Sequence, residues 1–125
     1  MNLLLDTHVL LWSIADDPRL SADTLREMAD KRNRLVVSVI SSWEITIKAQ
    51  KGRLRIPDDL RAQIRATKAE ILPVTLDHTL AVGDLPALHG DPFDRLLIAQ
   101  ARTEGLTLVT SDTQISRYDV AVLPA

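Results

Sequence analysis

Five carboxylates stand where the chain passes from one predicted element to the next: Asp6, Glu44, Asp91, Asp94 and Asp112. Asp6 follows three leucines, and Asp91 precedes Pro92 at the start of a strongly apolar helix pattern. Carboxylates at such places either cap helices or, where several converge, bind a cation through hard oxygen ligands. The sequence therefore raises two explanations for the same residues.

The elements that must position these acids alternate between strand and helix patterns. The predicted strands are 2–5, 34–39, 70–74, 106–110 and 119–123. The predicted helices are 7–15, 21–31, 41–52, 56–69, 76–85 and 92–105, with a helical turn at 112–118. Near-continuous apolar strands that alternate with helices indicate an α/β sandwich, with a central, mostly parallel sheet of four to five strands and helices on both faces. The 125 residues predict a single domain, 1–125.

In parallel sheets, ligands bind beyond the carboxyl ends of the strands. Asp6 and Asp112 are expected at that edge, and Glu44 is expected in the first turn of a helix that begins there. The loop before helix 92–105 arrives from the opposite edge or from the side, so Asp94 is placed by its helix alone. Asp6 is expected to be partly buried, where an unpaired carboxylate is costly.

If these acids converge, their repulsion raises their pKa values, and a divalent cation is the simplest way to neutralise them. No lysine or arginine adjoins Asp6 or Asp112 in the sequence. The chain has no cysteine, which excludes disulfides and thiolate metal sites. Oxygen ligands alone favour Mg²⁺ or Mn²⁺ over Zn²⁺.

Each acid also has a structural explanation that the sequence leaves open. Ser41 and Glu44 fit the Ser-x-x-Glu capping box. Asp91 before a proline fits a helix N-cap, which would place Asp94 third in the helix, and Asp112 fits a cap of the turn 113–116. Asp77 is expected to cap a helix and nothing more.

The charge of the chain is unevenly distributed. Its net charge is −2, but the segment 45–69 has seven basic and two acidic residues, a net +5, so the remainder carries −7. A solvated helix face is the alternative to a binding surface for this segment. Neither a secretory leader nor a membrane span is indicated, and we expect a cytoplasmic protein.

Other kinds of site find little support. No dinucleotide fingerprint, P-loop or nucleophile-elbow motif is present. His8 is expected in helix packing or at the surface, and His89, close to Asp91, is a candidate for a phosphate contact. Trp12 and Trp43 are predicted to be core residues rather than platforms for stacked bases.

Four segments occur in order, and each carries an acid: LLLDTHVLLW, SVISSWEITIKAQKGRL, HGDPFDRLLIAQA and LTLVTSD. Together they resemble the PIN-domain ribonucleases, specifically the VapC-type toxins of bacterial toxin–antitoxin pairs. The resemblance extends over nearly the whole chain, from Leu3 to Asp112. It implies the PIN-like three-layer sandwich and an endoribonuclease that depends on Mg²⁺ or Mn²⁺.

The resemblance also implies the roles of residues and partners. Asp6, Glu44 and Asp94 would be the core metal ligands and catalytic acids, with Asp112 as the fourth. Asp91 is outside this set and is interpreted as the N-cap of the helix that carries Asp94. The implied partners are an RNA substrate, a cognate VapB-type antitoxin that inserts a segment into the active-site groove, and a second copy of the chain.

Several further residues are candidates for supporting roles. A hydroxyl of Thr110 or Ser111 could support the acids. Arg95 could pair with an acid or contact phosphate, although a structural role is favoured slightly. RNA could follow the basic segment, where the candidate contacts are Lys48, Lys51, Arg53 and Arg55.

Three other classes were compared with this pattern. A haloacid-dehalogenase-like phosphatase needs a second aspartate two residues after the first, where this chain has His8. A receiver domain needs a lysine after a late strand, where this chain continues as Ser111-Asp112. A PIN-like interaction module without catalysis remains an alternative, although the intact acids argue against it.

Overall fold

The computed structural model describes residues 1–125 and contains one five-stranded, fully parallel sheet. The strands are β1 (Asn2–Leu5), β2 (Arg34–Ser38), β3 (Glu70–Leu72), β4 (Thr107–Thr110) and β5 (Val122–Pro124). Their order across the sheet is β3-β2-β1-β4-β5. The predicted α/β architecture is confirmed. The last strand was predicted at 119–123 but begins only at Val122.

Six α-helices connect the strands. They are α1 (Thr7–Ala15), α2 (Ala22–Ala29), α3 (Val39–Gln50), α4 (Leu60–Ala66), α5 (Leu76–Ala81) and α6 (Pro92–Glu104). Short 3₁₀ turns follow at Val82–Asp84 and Ile115–Arg117. Each α-helix begins after a side chain that accepts a backbone N–H of its first turn; these caps are Asp6, Ser21, Ser38, Asp59, Thr75 and Asp91. Because such caps fix where a helix begins, the predicted helix 56–69 starts only at Leu60.

The central strand β1 is buried on both faces of the sheet. Leu4 packs with the α6 residues Leu97 and Ile98 on one face. Leu3 and Leu5 pack on the other face in the cluster that contains the α1 residues Val9 and Leu10. Burial on both faces explains why this strand reads as a continuous apolar run.

The strand order places a topological switch point beside β1. The chain passes from β1 to β2 and β3 on one side and then crosses to β4 on the other side. The carboxyl ends of β1 and β4 are therefore neighbours, and the N–H of Asp6 donates to the carbonyl of Val109 at 3.0 Å. Ligand sites of open parallel sheets lie at such a point. None of the helices has the length and apolar character that crossing a membrane requires.

Candidate active site

Asp6 lies at this switch point and also caps α1. One carboxylate oxygen, Oδ1, accepts the N–H of Val9 at 2.9 Å, and the other, Oδ2, accepts the hydroxyl of Thr110. The residue is 5% exposed. Burial raises the pKa of Asp6; the hydrogen bonds from Thr110 and Val9 oppose this, and the negative charge of Asp112 adds to it. The predicted burial of Asp6 is confirmed.

Glu44 is also buried and lies opposite the start of α1. The Thr7 hydroxyl donates to Glu44 Oε1 at 2.7 Å, and Lys48 forms an ion pair with Oε2. The predicted capping box is wrong, because α3 begins at Val39 under the cap of Ser38 rather than after Ser41. Glu44 therefore lies in the second turn of α3, where its carboxylate has no capping role. Thr7 was not predicted, although its place next to Asp6 is a signal that could have identified it.

Lys48 lies beside the acids, where its ammonium pairs with Glu44, and its contact with RNA stays a prediction. Burial opposes its charged form, but the hydrogen bond to Glu44 and the charges of Asp91 and Asp94 raise the pKa of Lys48 overall. The lysine is therefore charged and neutralises one carboxylate. A single ammonium leaves the cluster of acids with an excess of negative charge.

The start of α6 gives its two acids different surroundings. Asp91 Oδ1 accepts the N–H of Phe93 at 2.9 Å and that of Asp94 at 3.0 Å, so the predicted N-cap is confirmed. The side chain of Asp94 is 18% exposed. Burial and the neighbouring charge of Asp91 raise the pKa of Asp94 to about 6.

Asp94 also interacts with the other acids of the site. A hydrogen bond from His89 opposes the increase in its pKa, and the charges of Asp112 and Glu44 contribute to it. Asp112 in turn acts on Asp6. Asp112 therefore acts on both Asp6 and Asp94, and Glu44 acts on Asp94.

Thr110 links two of these acids. Its hydroxyl donates to Asp6 and accepts the N–H of Asp112 at 3.0 Å, so it supports the site as predicted. Asp112 Oδ1 also accepts the N–H of Gln114 at 2.8 Å, which begins the turn into Ile115–Arg117. Ser111 is exposed and forms no side-chain hydrogen bond with the acids.

A small polar network stands behind Asp94. His89 Nε2 lies 3.3 Å from Asp94 Oδ2, and its Nδ1 lies 2.6 Å from the hydroxyl of Tyr118. Arg95 donates to that hydroxyl at 3.0 Å and to the carbonyl of Pro86 at 2.8 Å. Arg95 contacts no acid, so its structural role is the one observed. His89 reaches an acid of the site, a contact that the sequence did not predict.

The aromatic residues depart from their prediction. Trp43 is 54% exposed and meets Phe93 edge to face, with ring centroids 5.1 Å apart, so its assignment to the core is wrong. Trp12 is partly buried against the core, as expected. His78, which had no predicted role, is fully buried and forms a capping box with Thr75. Thr75 is therefore the N-cap of α5, and the prediction that Asp77 caps this helix is wrong.

The remaining basic candidates lie beyond the end of α3. Lys51, Arg53 and Arg55 are exposed, and none forms a salt bridge. With a rise of about 1.5 Å per helical residue, Lys51 lies about 10 Å along the axis from Glu44. Their contact with RNA stays a prediction.

The donor set suits a hard divalent cation. No three histidine or acidic side chains form a ready-made metal cluster in the structure. The acids nevertheless offer only oxygen donors, and burial raises the pKa of both Asp6 and Asp94. A cation among them would relieve this electrostatic cost, so the residues present fit a group such as Mg²⁺.

Comparison with known proteins agrees with this fold. Residues 3–121 match the PIN domain family. The ribonuclease VapC22 of Mycobacterium tuberculosis (strain ATCC 25618 / H37Rv) is 32% identical over 122 residues, which is 94% of this chain and 92% of that protein.

Solved structures share the fold. A chain of VapBC2 from Rickettsia felis, bound to a DNA fragment from their promoter, aligns with a TM-score of 0.74 and 21% identity over 99% of this chain and 98% of its own. A chain of DNA-bound VapBC from Salmonella typhimurium aligns with a TM-score of 0.69 and 16% identity over the same shares. The chain belongs to the PIN domain family and, within it, groups with the VapC ribonucleases.

Proposed function

We propose that this protein is a metal-dependent endoribonuclease that hydrolyses RNA phosphodiester bonds as the toxin of a toxin–antitoxin pair. The observation that carries the proposal is the group of acids at the switch point of a VapC-type PIN fold, in which Asp112 acts on Asp6 and on Asp94, and Glu44 acts on Asp94. They are Asp6, Glu44, Asp94 and Asp112. The name of the ribonuclease VapC22 supports the same activity.

The four acids would hold Mg²⁺ or Mn²⁺. Once bound, such a cation supplies activation of the attacking water and stabilisation of negative charge on the phosphoryl group. The protein supplies the orientation of its acids. Val9 and Thr110 fix Asp6, Thr7 and Lys48 fix Glu44, and the capped start of α6 fixes Asp94.

The RNA would approach along the basic segment. Lys51, Arg53 and Arg55 are exposed and form no salt bridge, and they could contact phosphates next to the one that is cleaved. Lys51, at the end of α3, lies about 10 Å along the helix axis from Glu44. These contacts would hold the polyanion close to a site that is otherwise acidic.

The proposed protein partners are a VapB-type antitoxin and a second copy of the chain. The structural neighbours are VapBC complexes, in which toxin and antitoxin occur together. An antitoxin segment with basic side chains would complement the negative charge around Asp94 and inhibit the site by occupying it.

The test is RNA cleavage by the purified protein with Mg²⁺, with Mn²⁺ and with EDTA. Cleavage with either cation, its loss in EDTA and its loss in Asp6→Asn are expected. An Asp77→Asn variant, altered at an exposed position on α5, serves as the matched control and is expected to cut normally. Cleavage by Asp6→Asn at the wild-type rate would refute the role of Asp6. A folded wild-type protein that never cuts RNA would instead support a non-catalytic PIN-like module.

A further inference from the structure

Trp43 and Phe93 form an aromatic pair at the edge of the acidic site. Trp43 immediately precedes Glu44 on α3, and Phe93 immediately precedes Asp94 on α6. The two rings meet edge to face with centroids 5.1 Å apart. They therefore bridge the same two helices that carry two of the site's acids, and they do so one residue away from each acid.

The exposure of Trp43 is unusual for its place on α3. Ile40, three residues earlier on the same helix face, is buried in the core, and Ile47, four residues later, is partly buried. Trp43 interrupts this stripe, belongs to neither core cluster and leaves 54% of its surface exposed. Phe93 packs against the core and meets the indole edge to face. The indole is thus held in place yet open to a partner.

The geometry points to an unpaired nucleobase as that partner: we propose that the base next to the scissile phosphate stacks on Trp43. This inference rests on the proposed ribonuclease function. Consecutive helical residues point about 100° apart, so a side chain next to Glu44 flanks the site without blocking it. Aromatic side chains bind single-stranded RNA through such stacking, and any base supplies the required π face.

The positive charges along α3 suit the phosphates of a nucleotide whose base stacks on Trp43. Lys48, at the next turn of α3, is held as a cation by Glu44, and the basic residues Lys51, Arg53 and Arg55 continue from the end of the same helix. The backbone of an RNA strand along α3 would meet these charges while one base rests on the indole. An acidic protein segment would be repelled by the acids beside the ring, and a purely apolar segment would leave their charges without a partner.

Fluorescence can test this contact directly, because the chain has only two tryptophans. The assay uses the Asp6→Asn, Trp12→Phe double variant with Mg²⁺, so that Trp43 is the only indole and the RNA stays intact. The probes are a mixed-sequence single-stranded RNA oligonucleotide and an abasic ribose-phosphate strand of equal length. Quenching of Trp43 by the RNA, but not by the abasic strand, is expected.

Affinity measurements give a second readout. In the Asp6→Asn background, Trp43→Leu is expected to weaken RNA binding about 5- to 150-fold, the usual range for loss of one stacked base, while Trp43→Phe retains part of the affinity. The matched control Trp12→Phe is expected to leave affinity unchanged. Light scattering on each variant shows whether its oligomeric state has changed.

Two results would overturn the inference. One is equal RNA affinity of Trp43→Leu and its parent together with no quenching. The other is a change in oligomeric state in Trp43→Leu that accounts for the lost affinity, which would assign the indole to a protein interface. RNA cleavage by the wild-type protein is measured in parallel. If the wild type cleaves RNA but substitution of Trp43 has no effect on binding, only this inference is refuted. If the folded wild type never cleaves RNA, the proposed function is refuted.

Discussion

Replacement of Asp94 by asparagine is expected to stabilise the metal-free protein near neutral pH. The side chain is 18% exposed, and the charges of Asp91, Asp112 and Glu44 act on it. Its pKa rises from 3.8 to about 6 for these reasons. Asparagine preserves the shape of the side chain and removes the charge that burial and repulsion disfavour.

The magnitude follows from the pKa of Asp94. The difference between 3.8 and about 6 corresponds to roughly 3 kcal/mol of cost for the ionised form in the folded protein. Because the side chain of Asp94 is 18% exposed, solvent screens part of that cost. The net gain for Asp94→Asn is therefore about 2 kcal/mol.

The gain has a definite pH dependence. Folded Asp94 holds its proton more tightly than the unfolded chain does, so its contribution to stability is complete below about pH 4. That contribution is lost as the pH rises from about 4 to about 6, and it stays lost above this range. Asp94→Asn should therefore match the wild type at low pH and exceed it at about pH 7.5.

Urea unfolding in EDTA at both pH values measures the difference. The control variant Asp77→Asn removes an exposed carboxylate from the first turn of α5, so it should not stabilise the protein and should cost at most about 1 kcal/mol at about pH 7.5. Added Mg²⁺ should stabilise the wild type more at about pH 7.5 than at low pH, because the cation binds the ionised acids. An equal difference in free energy of unfolding between Asp94→Asn and wild type at both pH values would refute the electrostatic reasoning.

Two further variants separate capping, RNA binding and chemistry. Asp91→Ala removes the N-cap of α6, so the free energy of unfolding measured in urea should fall by about 1 kcal/mol while cleavage activity falls only modestly. Complete loss of cleavage in a stable Asp91→Ala protein would show that Asp91 acts in the chemistry itself. Reversing the charges of Lys51, Arg53 and Arg55 to glutamate should weaken RNA binding and flatten its dependence on salt, and unchanged binding across salt concentrations would leave this segment a solvated surface.

The sequence predicted the fold well because its strands are buried on both faces. Apolar runs such as 2–5 are stable only when both faces of the strand are buried. Because these runs alternate with helices, a parallel sheet with helices on both faces is one of few possible arrangements. The sheet in turn brings Asp6 and Asp112 to one edge, because both follow neighbouring parallel strands. The meeting of Asp6 and Asp112 could therefore be predicted before any side chain was placed, whereas the position of Asp94 could not.

The details that failed depend on competition between local alternatives. Ser38 and Ser41 both precede helical sequence, and the Ser-x-x-Glu motif favoured the second, yet the hydroxyl of Ser38 accepts the N–H of Ile40 and begins α3 earlier. Trp43 shares the helix face of Ile40, so periodicity predicted burial. The structure instead leaves the indole 54% exposed beside Phe93 and outside both core clusters. Neither the start of α3 nor the exposure of Trp43 can be predicted from the sequence pattern of one helix alone.

The structure also shows that capping and chemistry need not be alternative explanations of one acid. Asp6 uses Oδ1 to accept the N–H of Val9, and its other oxygen, Oδ2, accepts the hydroxyl of Thr110. Carboxylate oxygens each have two lone pairs, so both atoms retain capacity for a cation. Asparagine is as good an N-cap as aspartate, whereas alanine is not. Asp6→Asn therefore preserves the start of α1 while it removes the charge, and a loss of cleavage in that variant can be assigned to the chemistry rather than to the helix.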